Sequence, residues 1–166
     1  MAIYEHYYEV LDLFGKLFNH IFRTLQNKYG KELELVSQVY PFQPFKFLDK
    51  PLRISFAEGI ALLREAGVTE EQQGAFDDLS TVNEKILGDL ILEKYDTDFY
   101  IMDKYPLSIR PFYTMPDPAT YKKVPAAEQL SNSYDIFMRG QEICSGAQRI
   151  NDHTLSLIHI SEPTRP

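Results

Sequence analysis

Ser133-Tyr-Asp-Ile-Phe-Met-Arg-Gly140, continued by Gln141-Glu-Ile-Cys-Ser-Gly-Ala-Gln-Arg-Ile150, is the stretch that decides the fold. Residues 133–139 carry the aromatic and branched side chains that suit a half-buried pleated surface. Gly140 supplies a turn, and Glu142 to Ser145 resumes an extended run. Upstream, Thr97-Asp-Phe-Tyr-Ile-Met102 reads as a strand and Tyr105-Pro106 as a turn. Ile109-Arg-Pro-Phe-Tyr-Thr114 reads as a second strand, with Pro111 placing it at an edge or a bulge. Met115 to Leu130, containing Pro116, Pro118 and Pro125, is a loop. No crossover helix separates these strands, so antiparallel pairing is the expectation.

The first half of the chain has a helical period instead. Ile3, Tyr7, Val10, Leu11, Phe14, Leu17, Phe18, Ile21, Phe22 and Leu25 share one stripe, predicting a long helix that ends near Tyr29-Gly30, where Gly can take the left-handed cap. His6 and His20 are not i,i+4 partners and read as solvated helix residues rather than ligands. Pro41 to Pro51 is a connection, and Leu52 to Phe56 a short strand. Glu58 to Glu65 forms a helix stopped by Gly67, and Val68 to Asp78 an acidic, Gln-rich loop. Ser80 or Thr81 caps a helix through Lys94, with Glu84 placed for a capping box against Thr81. Helices first and a strand meander after them make the chain α+β.

Composition narrows the function classes. A net charge of −7 gives no electrostatic grip on nucleic acid, so phosphate contacts would come mainly from elsewhere. The single Cys144 excludes an internal disulfide framework and suits a reducing cytosol. No apolar run approaches the ~18 residues of a membrane-spanning helix.

Within the deciding stretch, Glu142 and Ser145 are hard oxygen groups of the kind Mg²⁺ prefers. Arg149 offers a fixed fork of donors for a carboxylate or phosphate. Gly146 leaves room for close approach of backbone or ligand. A purely structural salt bridge is the alternative role for Arg149. Cys144, between them, reads as a packed strand residue, since no neighbour lowers its pKa.

Tyr105-Pro106, Arg110-Pro-Phe-Tyr-Thr114, Asp135-Ile-Phe-Met-Arg-Gly140 and Glu142-Ile-Cys-Ser-Gly-Ala-Gln-Arg149 together resemble the catalytic domain of the aspartyl-tRNA synthetases. The form resembled is the eukaryotic cytosolic and archaeal type of this class II family. Pro44-Phe-Lys-Phe47, Leu62-Leu-Arg-Glu-Ala-Gly67 and Asp78-Leu-Ser-Thr-Val-Asn-Glu-Lys85 extend the similarity from Met1 to about Asp152. The resemblance implies part of the class II antiparallel sheet flanked by helices. It implies an aspartate–tRNA ligase that is cytoplasmic, dimeric when complete, and dependent on ATP and Mg²⁺. Aspartate is first activated as its adenylate and then passed to tRNA(Asp).

Site roles follow by resemblance. Glu142 helps hold ATP through Mg²⁺, Ser145 lines the metal and aspartate site, and Arg149 pairs with the substrate's side-chain carboxylate. Tyr113 lines the aspartate pocket, with packing beside Phe112 as its alternative role. Ser131, Asn132 and Ser133 match a stretch approached by the tRNA 3′ end, and Asp135 is a supporting carboxylate. No side chain acts as a nucleophile. The competing readings are an asparaginyl-tRNA synthetase-like enzyme and a non-catalytic synthetase-like binding module.

The family's first, second and third motifs have no match in these residues, so residues 1–154 are expected to be part of a catalytic domain, without aminoacylation activity alone. Leu155 to Pro166 has neither helical nor strand periodicity and resembles the translation of a transposon-end sequencing adapter. It is expected to be non-native.

Overall fold

A computed structural model describes residues 1–152; the tail reading of residues 155–166 lies outside the described residues. The elements run α1 (Tyr8–Lys28), α2 (Gly30–Val39), β1 (Leu52–Ser55), α3 (Phe56–Glu65), α4 (Thr81–Tyr95), β2 (Phe99–Asp103), β3 (Ser133–Met138) and β4 (Gln141–Ala147). Short 3₁₀ turns at Leu107–Ile109 and Ala126–Glu128 interrupt the long loop between β2 and β3.

The strands form one sheet in the order β1-β2-β3-β4. The meander is antiparallel as expected: β3 pairs with both β2 and β4 in that sense. β1 joins β2 in parallel, because α3 and α4 form a crossover between them. Alternation along the strands sends Tyr100, Met102 and Phe137 to one face, where they pack with Ile60, Leu63, Leu87 and Ile91 of α3 and α4. Phe99, Ile101, Tyr134 and Ile136 face the other way, against Tyr7, Leu11 and Phe22 of the α1 region. Helices therefore cover both faces of an α+β sheet.

Four local expectations are corrected. α1 begins at Tyr8, and Glu9 in its first turn accepts the backbone N–H groups of Tyr4, Glu5 and His6. His6 is half-buried, tilted against the Tyr7 ring and edge-on to Tyr8, rather than solvated. α1 ends beside Tyr29-Gly30 as expected, but Tyr29 rather than a left-handed Gly30 caps it, and Gly30 opens α2. Ser80 caps α4 by accepting from Asn83 N, so the box against Thr81 does not form.

A fifth correction matters most for function. Residues 109–114 are not a strand; after the 3₁₀ turn they bend at Pro111 and make one bridge, Thr114 to Arg149. Pro111 lacks the N–H that a ladder needs, which explains why pairing stays this limited.

β3 and β4 are joined by Arg139-Gly140, with φ of 53° and 66°. Positive φ at both central residues is the two-residue hairpin geometry that matches strand twist. Gly88 of α4 packs directly on this turn, and a Cβ there would lie 2.5 Å from Gly140 Cα. Gly88→Ala is expected to destabilise the protein by about 1–3 kcal/mol through overpacking. At Gly30 a Cβ would meet nothing within 4 Å, so Gly30→Ala is the neutral control. Urea midpoints of the two variants check the difference.

Candidate functional site

The β3–β4 pair builds the site. Its register matches Ser133 with Ala147, Asp135 with Ser145, and Phe137 with Glu142. Residues three apart on a regular strand point to opposite faces, which would separate Glu142 from Ser145. An irregularity between Ile136 and Phe137 leaves Ile143 as an extra residue on β4. The bulge restores both residues to the Asp135 face. Ile143 is consequently turned out, 38% exposed.

Loop 110–114 lies over the end of this face. A cleft of about 390 Å³ is lined by Arg110, Tyr113, Ser133, Ser145, Gly146 and Arg149, among others. Arg149 lies with its guanidinium carbon 4.9 Å from the Tyr113 ring centroid, a cation–π contact that restrains an otherwise exposed side chain. The bridge between Thr114 and Arg149, and the bond from Ile150 N to Tyr113 O at 3.0 Å, fix the two segments together. Tyr113 also meets Phe112 edge-on at 5.5 Å, yet both rings stay partly exposed, so neither is core.

Arg110 and Asp135 form a buried ion pair at 2.6 Å. The Arg110 guanidinium also lies 3.9 Å over the Tyr105 ring. Burial pushes the Asp135 carboxyl up, Arg110 pulls it back down, and the charge of Glu142 raises it again. Burial first, then Glu142, Asp78 and Asp135, likewise raise Glu84 on α4. Among the described residues, neither Asp135 Oδ1 nor Arg110 Nε has a hydrogen-bond partner. Sequence reasoning gave Asp135 a supporting role but did not pair it with Arg110; the partners lie 25 residues apart and no periodicity links them.

Glu142 and Ser145 are exposed on the shared face, with Glu142 electrostatically coupled to Glu84 and Asp135. Among the described residues, no group of three or more His, Cys, Asp or Glu could hold a metal ion. A carboxylate and a hydroxyl are hard donors of the kind Mg²⁺ takes, and such an ion would draw the rest of its coordination from other ligands.

The remaining sequence candidates fall in three places. The space that Gly146 leaves is taken by the Tyr134 ring, the residue paired with it across the sheet. Cys144 is half-buried against the α1-side core, and burial raises its thiol, in keeping with a packing role. Ser131, Asn132 and Ser133 are all buried. The Ser131 hydroxyl donates to Tyr105 O at 2.9 Å and lies 2.8 Å from that of Ser133, while Asn132 bonds Gln148 and Lys104. Ser133 alone among these three lines the cleft.

The family described as tRNA synthetases class II (D, K and N) matches residues 1–162. Cytoplasmic aspartate–tRNA ligase of Homo sapiens is 54% identical over 155 residues, covering 93% of this chain and 29% of that protein. The cytoplasmic aspartate–tRNA ligase of Caenorhabditis elegans is 49% identical over 152 residues, covering 92% of this chain and 27% of its own length. The chain thus spans less than a third of these relatives.

Among solved structures, aspartyl tRNA synthetase from Entamoeba histolytica superposes with a TM-score of 0.86 at 44% identity, covering 100% of this chain and 32% of that one. Asparaginyl-tRNA synthetase from Pyrococcus horikoshii gives 0.72 at 23% identity, covering 99% and 36%, and shares the fold. With a matched sequence, the same sheet and both flanking helix layers in place, the chain belongs to the class II tRNA synthetases of the D, K and N group.

Proposed function

We propose that this chain is part of a cytoplasmic aspartate–tRNA ligase and forms one wall of its aspartate and ATP pocket. The observation that carries the reading is Arg149, seated over Tyr113 at the mouth of a cleft that Ser145 also lines. A guanidinium held in such a cleft selects a carboxylate side chain. An amide would leave the cation uncompensated once the pocket closes, and that cost separates aspartate from asparagine. The similarity to cytoplasmic aspartate–tRNA ligases supports the same choice.

In this reading an oxygen of the substrate α-carboxylate attacks the α-phosphorus of ATP. The bond from that phosphorus to the bridging oxygen breaks, giving aspartyl-adenylate and pyrophosphate. A terminal ribose hydroxyl of tRNA(Asp) then attacks the acyl carbon and AMP leaves. Arg149 and Tyr113 orient the aspartate side chain, while Ser145 lines the adjoining wall. Glu142 and Ser145 would hold Mg²⁺ on the phosphate side, where the ion neutralises phosphate charge. Positioning and charge neutralisation carry such chemistry, and no side-chain nucleophile is required.

Ser131 to Ser133, all buried, would support the wall approached by the tRNA 3′ end through backbone and shape. The assembled enzyme would be a homodimer. Residues 1–154 would form one part of its catalytic domain, with residues 155–166 non-native.

Amino-acid-dependent ATP–pyrophosphate exchange by the full-length protein tests the reading. Exchange driven by aspartate at least about 100-fold better than by asparagine is expected. Equal response to both, or none to either, would sink it.

A further inference from the structure

Arg149 stands just past the end of β4, so its position depends on what fixes the backbone there. Three strands of chain meet at this point in a closed ring of backbone hydrogen bonds. Met115 N donates to Gln148 O at 2.8 Å, Gln148 N to Asn132 O at 2.9 Å, and Asn132 N to Met115 O at 2.9 Å. Each segment thus holds the other two. Asn132 is the buried corner of the ring, only 3% exposed.

Its side chain adds a second tie. Lys104 Nζ donates to Asn132 Oδ1 at 3.1 Å, and Asn132 Nδ2 donates to Gln148 Oε1 at 2.9 Å. An ammonium has donors and no acceptor, so Lys104 dictates which end of the Asn132 amide it meets. The Asn132 NH₂ is thereby turned toward Gln148, whose carbonyl oxygen must accept. Lys104 is itself anchored by Asp117 at 3.0 Å, and Asp117 N donates to Leu130 O at 2.8 Å. The chain of contacts ends one residue before Arg149.

We propose that Asn132 and Gln148 are positioning residues for aspartate recognition, fixing Arg149 through this ring and its Lys104-oriented amide pair. The proposal rests on Arg149 reading the aspartate side chain. It assigns Asn132 a task other than meeting the tRNA 3′ end, which a side chain 3% exposed is poorly placed to do. Displacing a substrate-binding group by about 1 Å can cost 10²-fold in rate, so loss of the ring's side-chain tie has a measurable price.

The test is tRNA-free ATP–pyrophosphate exchange by the full-length ligase carrying Asn132→Ala or Gln148→Ala. Each variant is expected to raise KM for aspartate about tenfold or more while KM for ATP stays within about twofold. Gln148→Ala, at a half-buried position, keeps the test available if Asn132→Ala fails to fold. Unchanged aspartate KM with a raised KM for tRNA in aminoacylation would overturn the proposal in favour of tRNA contact. An equal fall in kcat with both KM values unchanged would overturn it in favour of general structural support. Absence of aspartate-dependent exchange in the unsubstituted protein would instead count against the ligase reading itself.

Discussion

If the full-length protein is the proposed aspartate–tRNA ligase, replacing Arg149 by leucine in it is expected to lower kcat/KM for aspartate by at least about 10²-fold, with KM for ATP changed little. The size follows from truncating one side of a desolvated charge pair, which costs about 2–5 kcal/mol because the other charge is left unpaired. In the proposed pocket the stranded charge would be the substrate carboxylate, which the guanidinium now lying over Tyr113 would otherwise meet. Arg149→Lys should recover only part of the loss, since an ammonium lacks the planar fork that meets both carboxylate oxygens. Steady-state exchange kinetics with aspartate and ATP varied separately give the two numbers. A loss shared equally between the substrates would place Arg149 elsewhere than the aspartate pocket.

Arg110→Ala is expected to be the most destabilising single change at the site, by about 3–5 kcal/mol, because it strands the buried Asp135 carboxylate. Side-chain exposures of 17% and 5% for the pair leave little water to replace the lost partner. Arg110 also packs on Tyr105 at 3.9 Å, so its removal opens space as well. The double variant Arg110→Met with Asp135→Leu should recover most of the stability, since no uncompensated charge remains. Urea unfolding of the single and double variants measures both effects. If the single variant matched the unsubstituted protein, the pair would carry no such role.

Much of this arrangement was legible in the residues. The 133–150 stretch gave β3, its glycine turn and β4, because alternation and the Arg139-Gly140 turn act locally. Glu142, Ser145 and Arg149 stand out by residue type and Tyr113 only through the family resemblance; the structure gathers Tyr113, Ser145 and Arg149 round one cleft.

What stayed hidden depends on partners distant in sequence. The parallel entry of β1 follows from the α3–α4 crossover, which no strand pattern reveals. The bulge at Ile143 is a register event between two strands, yet it decides whether Glu142 and Ser145 share a face. Residues 109–114 carry strand-forming side chains, but Pro111 and the demands of the cleft keep them as a bent arm. The Arg110–Asp135 pair and the Asn132 ring likewise join residues that only the folded chain brings together.

In the proposed pocket Arg149 reads the side-chain carboxylate of aspartate. A crystal structure of the full-length ligase with a non-hydrolysable aspartyl-adenylate analogue tests it most directly. The expected result is Arg149 nitrogens about 2.7–2.9 Å from both side-chain carboxylate oxygens, with Ser145 on the same pocket wall. A substrate carboxylate held by a different cation, with Arg149 turned away from it, would contradict the account.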